Sequence, residues 1–266
     1  MFATRLISGI ILVILALVLV TAGGGVLFAA VAAISFIGMF ELYRVMKLEK
    51  TPLAAVGYLA AALYFGFVWF EKEELMMLMA AVFVMVLMAI YVFTFPKYKT
   101  EEITITFFGV FYVAVMLSYL FLVRRAADGA YLVWLVFLSS WGCDTCAYCA
   151  GMLFGRHKLA PVLSPKKSIE GAVGGVVGAA LLGALYGAVF GTHMDEVGNP
   201  VIVCCAACAI AAVISQIGDL AASAIKRNHQ VKDYGTLIPG HGGILDRFDS
   251  MMFTAPAIYF AILFLR

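Results

Sequence analysis

The sequence predicts an all-α fold: a polytopic bundle of about nine transmembrane helices, with the N-terminus in the cytoplasm. Three observations carry this. Apolar residues make up 64% of the 266 and charged residues only 13%, where a soluble domain has roughly 45–50% and about 25%. The apolar residues fall into runs near the ~20-residue length that a ~30 Å hydrocarbon core requires. The charges gather in short clusters between those runs. Transmembrane strands would be shorter and would alternate in polarity, and these runs do neither.

Taken in order, the runs lie at 5–22, 25–43, 53–70, 74–95, 103–123, 129–153, 169–190, 200–218 and 250–265. The first follows a short positive flank with Arg5. It leads through Gly23–Gly25 into the second, so it reads as a retained span, not a cleaved leader. Glu41, near the end of the second, reads as an interfacial carboxylate beside Arg44 and Lys47. Residues 1–125 carry almost no polar side chains within their runs and read as a scaffold. Residues 126–266 carry polar groups inside the runs and read as the catalytic region.

Orientation follows from the short loops. Arg5, Arg44, Lys47, Lys50, Lys97, Lys99, Arg156, Lys158, Lys166, Lys167, Lys226, Arg227, Lys232 and Arg247 fall on one side. Lys72, Arg124, Arg125 and Arg266 fall on the other. The first side is expected to be cytoplasmic, in a multi-pass protein of the inner or plasma membrane. Arg124 and Arg125 are a local exception, read as reaching to headgroups.

Several classes drop out. A net charge of +2 gives no footprint for nucleic acid. The six cysteines lie inside apolar runs, which argues against a secreted disulfide framework. Cys143-x-x-Cys146 and Cys205-x-x-Cys208 have metal-ligand spacing. On apolar helices they read as small packing residues. An ion or metabolite transporter would more typically show broken helices in two matching halves. Here the polarity is confined to one half.

Three polar segments carry the chemistry. In the first, Asp144 lies inside a span, at a cost of about 2.5–3.5 kcal/mol on insertion scales. Tyr148 and Gly151 fall on the same helix face. This is either a hydrogen-bond anchor between helices or the wall of a polar cavity. The second is the loop Phe154–Gly171, where Pro161 and Pro165 block a regular helix. Arg156, Lys158, Lys166 and Lys167 gather there, and Ser168 stands where it can cap the next helix. Positive-inside topology and phosphate recognition account for those cations equally well.

The third segment runs from Asp219 to Asp249. If the helix continues past Gly218, then Asp219, Ser223 and Lys226 share a face, with Arg227 beside them. Lys232 and Asp233 follow, and then a loop with Gly240, His241, Gly242 and Gly243 whose N–H groups could cradle an anion. Asp246, Arg247 and Asp249 open the last helix, the two carboxylates at i and i+3. Paired carboxylates beside phosphate-holding cations suit Mg2+, which takes oxygen ligands and shares them with substrate phosphates. His241 reads as a phosphate or loop-organising contact in preference to a general base.

The pattern Ser223-Ala-Ile-Lys226-Arg227, Lys232-Asp233, Pro239-Gly-His241-Gly242-Gly243-Ile-Leu-Asp246-Arg247-Phe-Asp249 resembles the signature of phosphatidate cytidylyltransferases, the CDP-diacylglycerol synthases. Asp144-Thr-Cys-Ala-Tyr148 and Ser164-Pro-Lys-Lys167-Ser168-Ile-Glu170-Gly171 resemble it too. Cys146, Cys149 and Met152 depart from the pattern, standing where a glycine, an aromatic and a basic residue are expected. The resemblance implies that CTP and phosphatidic acid from the membrane give CDP-diacylglycerol and pyrophosphate, with Mg2+ required and a second cation left open. It implies that Asp219, Asp246 and Asp249 hold metal. Lys226, Arg227, Lys232 and Arg247 would hold phosphates. Asp144, Ser164, Lys167 and Ser223 would complete the polar cavity, and Asp233 would bind metal or orient Lys232. It also admits a homodimer. A CTP-dependent lipid-alcohol kinase is the neighbouring enzyme class.

Overall fold

A computed structural model describes the backbone of residues 2–265 and the side chains of residues 7–265. Arg266 and the Arg5 side chain lie outside the described residues. Among the described residues the chain forms nine long helices in the expected order. They are α1 Phe2–Ala22, α2 Gly24–Val45, α3 Pro52–Trp69, α4 Met76–Phe93, α5 Thr100–Arg125, α6 Gly129–Phe154, α7 Ile169–Phe190, α8 Pro200–Asn228 and α9 Leu245–Leu265. Eight are long and apolar enough to cross a membrane, and α1 contributes a further apolar helix over Ile7–Ala22. The protein is a multi-pass membrane protein.

Local chemistry sets the helix ends. Gly23 and Gly24 take positive φ (+61° and +47°) to turn the chain between α1 and α2. Thr51 caps α3 by accepting Ala54 N–H at 3.3 Å, with Pro52 at the first helical position. Asn199 caps α8 in the same way, accepting Ile202 N–H at 3.2 Å. Helices α5 and α6 each contain a π-helical stretch, Val110–Val115 and Leu138–Gly142.

Helices α6, α7 and α8 pack through small residues. Gly171, Gly175, Ala179, Gly183 and Gly187 recur every fourth residue on the buried face of α7. A side chain at Gly175 would strike Cys143, one at Gly178 would strike Cys146, and one at Gly183 would strike Cys208. The cysteines therefore sit against glycines as small packing groups, which lets helix backbones approach closely. The opposite stripe of α7, with Val177, Leu181 and Leu185, is exposed and suits lipid contact.

Two departures from the sequence reading stand out. The segment after α6, read as a loop whose prolines block a regular helix, is an antiparallel hairpin, β1 Lys158–Ala160 with β2 Ser164–Ser168. Arg124 and Arg125 do more than reach toward headgroups. Arg124 Nε donates to Val20 O at 3.0 Å, and Arg125 Nη1 donates to Val68 O at 2.8 Å. Both serve carbonyls near the C-termini of α1 and α3, where cations complement the helix dipole. Arg125 also pairs with Glu71 at 3.4 Å and Glu73 at 3.7 Å.

Ser168 caps α7 as expected, its Oγ accepting Gly171 N–H at 3.1 Å. Ser168→Ala is expected to cost about 1 kcal/mol, measured as a lowered unfolding midpoint in detergent. An unchanged midpoint would show that the cap contributes nothing.

Candidate active site

One cavity of about 810 Å³ opens at the end of the bundle where the cationic loops meet. It is lined by Asp144, Tyr148 and Gly151 of α6, and by Lys166, Lys167 and Ser168 of β2. Gln216, Asp219 and Lys226 of α8 and Asp246, Arg247 and Asp249 of α9 complete its polar wall, with Asp233 and His241 from the intervening loop. Asp144, Tyr148 and Gly151 thus share a face on a cavity wall.

The α8 helix runs unbroken to Asn228, which turns its apolar span directly into a polar wall. Gly218 makes this geometry possible. A side chain there would strike Phe253 and the carbonyl of Asp249, so α8 and α9 approach closely and Asp219 comes beside Asp249. Lys167 reaches from β2 to bond Asp219 Oδ2. Asp219 and Lys167 are each about a quarter exposed on their side chains, within reach of a ligand.

Asp246 is held more tightly. Its Oδ1 accepts from Lys226 Nζ at 2.8 Å. Its Oδ2 accepts Tyr234 N–H at 2.8 Å and Gly243 N–H at 2.9 Å. The side chains of Lys226 and Asp246 are only 13% and 2% exposed. The Lys226 ammonium also lies over the Tyr234 ring, 5.4 Å from its centroid. Tyr234 is itself fixed, donating its hydroxyl to Ala222 O at 3.1 Å and accepting Arg44 Nη2 on its carbonyl at 2.9 Å.

The glycine-rich loop differs from its expected role as an open anion cradle. Gly242 takes φ +85° and bridges to Ile238, with Ile238 N–H donating to Gly242 O at 2.9 Å. The next three N–H groups are occupied by carboxylates. Gly243 donates to Asp246, and Ile244 and Leu245 donate to Glu41 at 3.0 and 2.9 Å. The loop folds to seat Asp246 at the start of α9. A carboxylate there is favoured by the N–H groups and by the helix dipole.

Glu41 is the residue the sequence reading misplaced. It is not an interfacial group paired with Arg44 or Lys47. It is 3% exposed and reaches across from α2 to the N-terminus of α9. The signal was available: a lone carboxylate in an apolar run has to find donors, and the cations nearest in sequence were the wrong place to look. Helix α1 also enters the site, with Ser8 Oγ 2.7 Å from His241 Nδ1 and donating to Pro239 O at 3.1 Å. His241 thus ties the loop to α1 while lining the cavity. Gln216, another residue missed, lines the cavity and ties α8 to α7 by donating to Ala172 O at 2.9 Å.

Besides Gly242 and Gly243, four expected site residues lie off the cavity wall. Arg227 is exposed on α8, one residue and therefore about 100° around from Lys226. Ser223 is half-buried on α8, Lys232 is exposed in the α8–α9 loop, and Ser164 begins β2 opposite Ala160. None of the four is among the residues that line the cavity.

Among the described residues, no three His, Cys, Asp or Glu side chains already converge as a metal cage. The donor chemistry nonetheless fits a hard cation. Carboxylate oxygens are its preferred ligands, and Asp219, Asp246 and Asp249 line the same cavity. A carboxylate offers about four acceptor positions. Asp246 already has three filled, whereas Asp219 has one filled by Lys167 and Asp249 one by Ser250 N–H. Asp219 and Asp249 are therefore the more open donors.

Fold and site together define a membrane-embedded helical bundle with carboxylates and lysines interleaved on one cavity wall. A family model described as "Cytidylyltransferase family" matches residues 3–265. The phosphatidate cytidylyltransferase of Bacillus subtilis (strain 168) is 30% identical over 264 residues, covering 97% of this chain and 96% of the relative. That of Staphylococcus aureus (strain COL) is 37% identical over 139 residues, 52% of each chain. The chain belongs to the cytidylyltransferase family and is a nucleotidyltransferase.

Proposed function

We infer that the protein transfers CMP from CTP to phosphatidic acid, giving CDP-diacylglycerol and pyrophosphate for phospholipid biosynthesis. One observation carries this reading beyond the family relationship. The cavity that holds Lys167, Lys226 and Arg247 continues along apolar side chains of α1 and α2. It therefore suits a water-soluble polyphosphate at one end and a lipid at the other.

A phosphate oxygen of the lipid attacks the α-phosphorus of CTP, and pyrophosphate leaves. The attacking oxygen is already ionised near neutral pH, so no strong base is required. Two anions must approach each other, and most of the catalytic demand is positioning and charge stabilisation. Lys167 and Arg247 neutralise phosphate oxygens at the cavity mouth. Lys226 orients Asp246. Asp219 and Asp249, with Asp246, would hold Mg2+, which bound there supplies positive charge to the phosphates as they react. The positive-inside bias supports a cytoplasmic mouth, where CTP is available.

Incubating the purified protein with phosphatidic acid, Mg2+ and CTP labelled at the α- or γ-phosphate tests the assignment. The α-label is expected in the lipid and the γ-label in pyrophosphate. Transfer of the γ-label to lipid would instead establish a lipid kinase.

A further inference from the structure

The loops at the far end of the bundle form a second cavity, of about 540 Å³, and the reaction uses none of its residues. It lies where the α1–α2, α3–α4, α5–α6 and α7–α8 connections meet, lined by Gly24, Trp69, Glu71, Arg124, Asp128 and His193. Asp128, just before α6, stands sixteen residues from Asp144, or about 24 Å at 1.5 Å per residue. That is most of a ~30 Å hydrocarbon core, so the two polar sites face opposite leaflets.

The charges on this wall are not all spent. Arg125 pairs with Glu71 and Glu73. Arg124, by contrast, makes no ion pair among the described residues. Its Nε serves Val20 O, and Gly23 leaves room for the rest of the guanidinium, since a side chain there would come within 2.9 Å of Nη2. The two Nη groups have no acceptor among the described residues and remain free to donate. Asp128 Oδ2 accepts Glu196 N–H at 2.8 Å, which leaves its other oxygen open. Aromatic rings complete the wall. His193 stacks on Tyr131 with centroids 5.3 Å apart and 11° between planes. Trp69 is 46% exposed, and tryptophan at the end of a span marks the depth of lipid headgroups.

A free guanidinium and a free carboxylate oxygen in one cavity match a ligand that carries both signs. A purely anionic group would meet Asp128 and Glu71, and a purely cationic one would meet Arg124. We propose that this cavity binds the headgroup of a zwitterionic phospholipid, a phosphate diester ending in an ammonium. The phosphate lies on the Nη donors of Arg124, whose planar fork suits phosphate oxygens. The ammonium lies on Asp128 and the aromatic faces. Arg124 also holds the carbonyl end of α1, so an occupied site ties α1, which lines the active-site cavity, to α5. Occupancy of this site is independent of the reaction assigned above.

Lipid binding to the purified protein in detergent, followed by native mass spectrometry, tests this. Phosphatidylethanolamine is expected to bind about 5-fold more tightly than phosphatidylglycerol, which has the same phosphate and no ammonium. Arg124→Gln keeps a donor for Val20 O and removes the charge. It is expected to weaken binding of both lipids about 10-fold. Asp128→Asn keeps an acceptor for Glu196 N–H, and asparagine tolerates the φ of +56° at this position. It is expected to erase the preference while phosphatidylglycerol binds at least as well as before. The melting midpoint of each variant without added lipid reports that it folds. The two variants act on different charges, so a fold defect in one leaves the other as the test. Soluble phosphoethanolamine, which lacks the chains, is expected to compete far more weakly than the lipid. Competition equal to that of the lipid would assign the cavity to a soluble phosphate ester and overturn the proposal. So would equal affinity of the wild-type protein for the two lipids. Affinities that neither variant alters would place the bound lipid elsewhere and overturn it as well.

Discussion

Asp246→Asn is expected to reduce turnover by on the order of 10³-fold and to weaken the fold as well. Asp246 accepts from a lysine through one oxygen and from two backbone N–H groups through the other. An asparagine has one acceptor oxygen and one donor nitrogen. If the nitrogen faces Lys226, two donors meet. If it faces Tyr234 and Gly243, a donor meets two donors. In either orientation the Lys226 ammonium, 13% exposed on its side chain, loses its counter-charge. Breaking one side of a buried pair costs about 3–5 kcal/mol, so a lower unfolding midpoint in detergent should accompany the loss of activity. The double variant Lys226→Met/Asp246→Asn removes the stranded charge. It is expected to regain part of the stability and none of the turnover. Near-normal CDP-diacylglycerol formation by Asp246→Asn would remove Asp246 from the reaction centre.

That pairing shows what was legible in the sequence and what was not. The span order, the continuation of α8 past Gly218 and the shared face of Asp144, Tyr148 and Gly151 all follow from helical periodicity, which is local. The Ser168 cap follows from local chemistry too. Partners far apart in the chain do not follow. Lys226 with Asp246, Lys167 with Asp219 and Ser8 with His241 are set by how the helices pack, and no spacing encodes them. The glycine-rich loop misled for the same reason. Its composition permits an anion cradle, but which carboxylate occupies its N–H groups depends on α2 and on Asp246 itself. The division into scaffold and catalytic halves was drawn from where polar residues lie, which is blind to apolar residues that wall a site. Thus α1 and α2 went unnoticed although both line the cavity.

Glu41→Ala should show how far the first half matters. Glu41 holds the N–H groups of Ile244 and Leu245 at 3.0 and 2.9 Å, and those N–H groups begin the helix that carries Asp246 and Asp249. The carboxylate lies against Gly235 and Gly243, where any side chain would strike it, so its approach is fixed from both sides. Alanine strands two buried donors. At about 1–3 kcal/mol for each unsatisfied group, the loss is expected to be several kcal/mol, diminished by any water that enters. The first turn of α9 is then free to shift, and a displacement near 1 Å at a reacting group costs about 10²-fold. The fall should appear mainly in kcat, with KM for CTP changed less, because Lys167 on β2 keeps its place while Arg247 moves with the first turn of α9. Glu41→Gln keeps the shape and one acceptor oxygen, and is expected to recover most of the turnover. A Glu41→Ala protein with a lowered melting midpoint but full kcat would make Glu41 a cap for stability alone. Unchanged values of both would mean that α9 takes its position without α2.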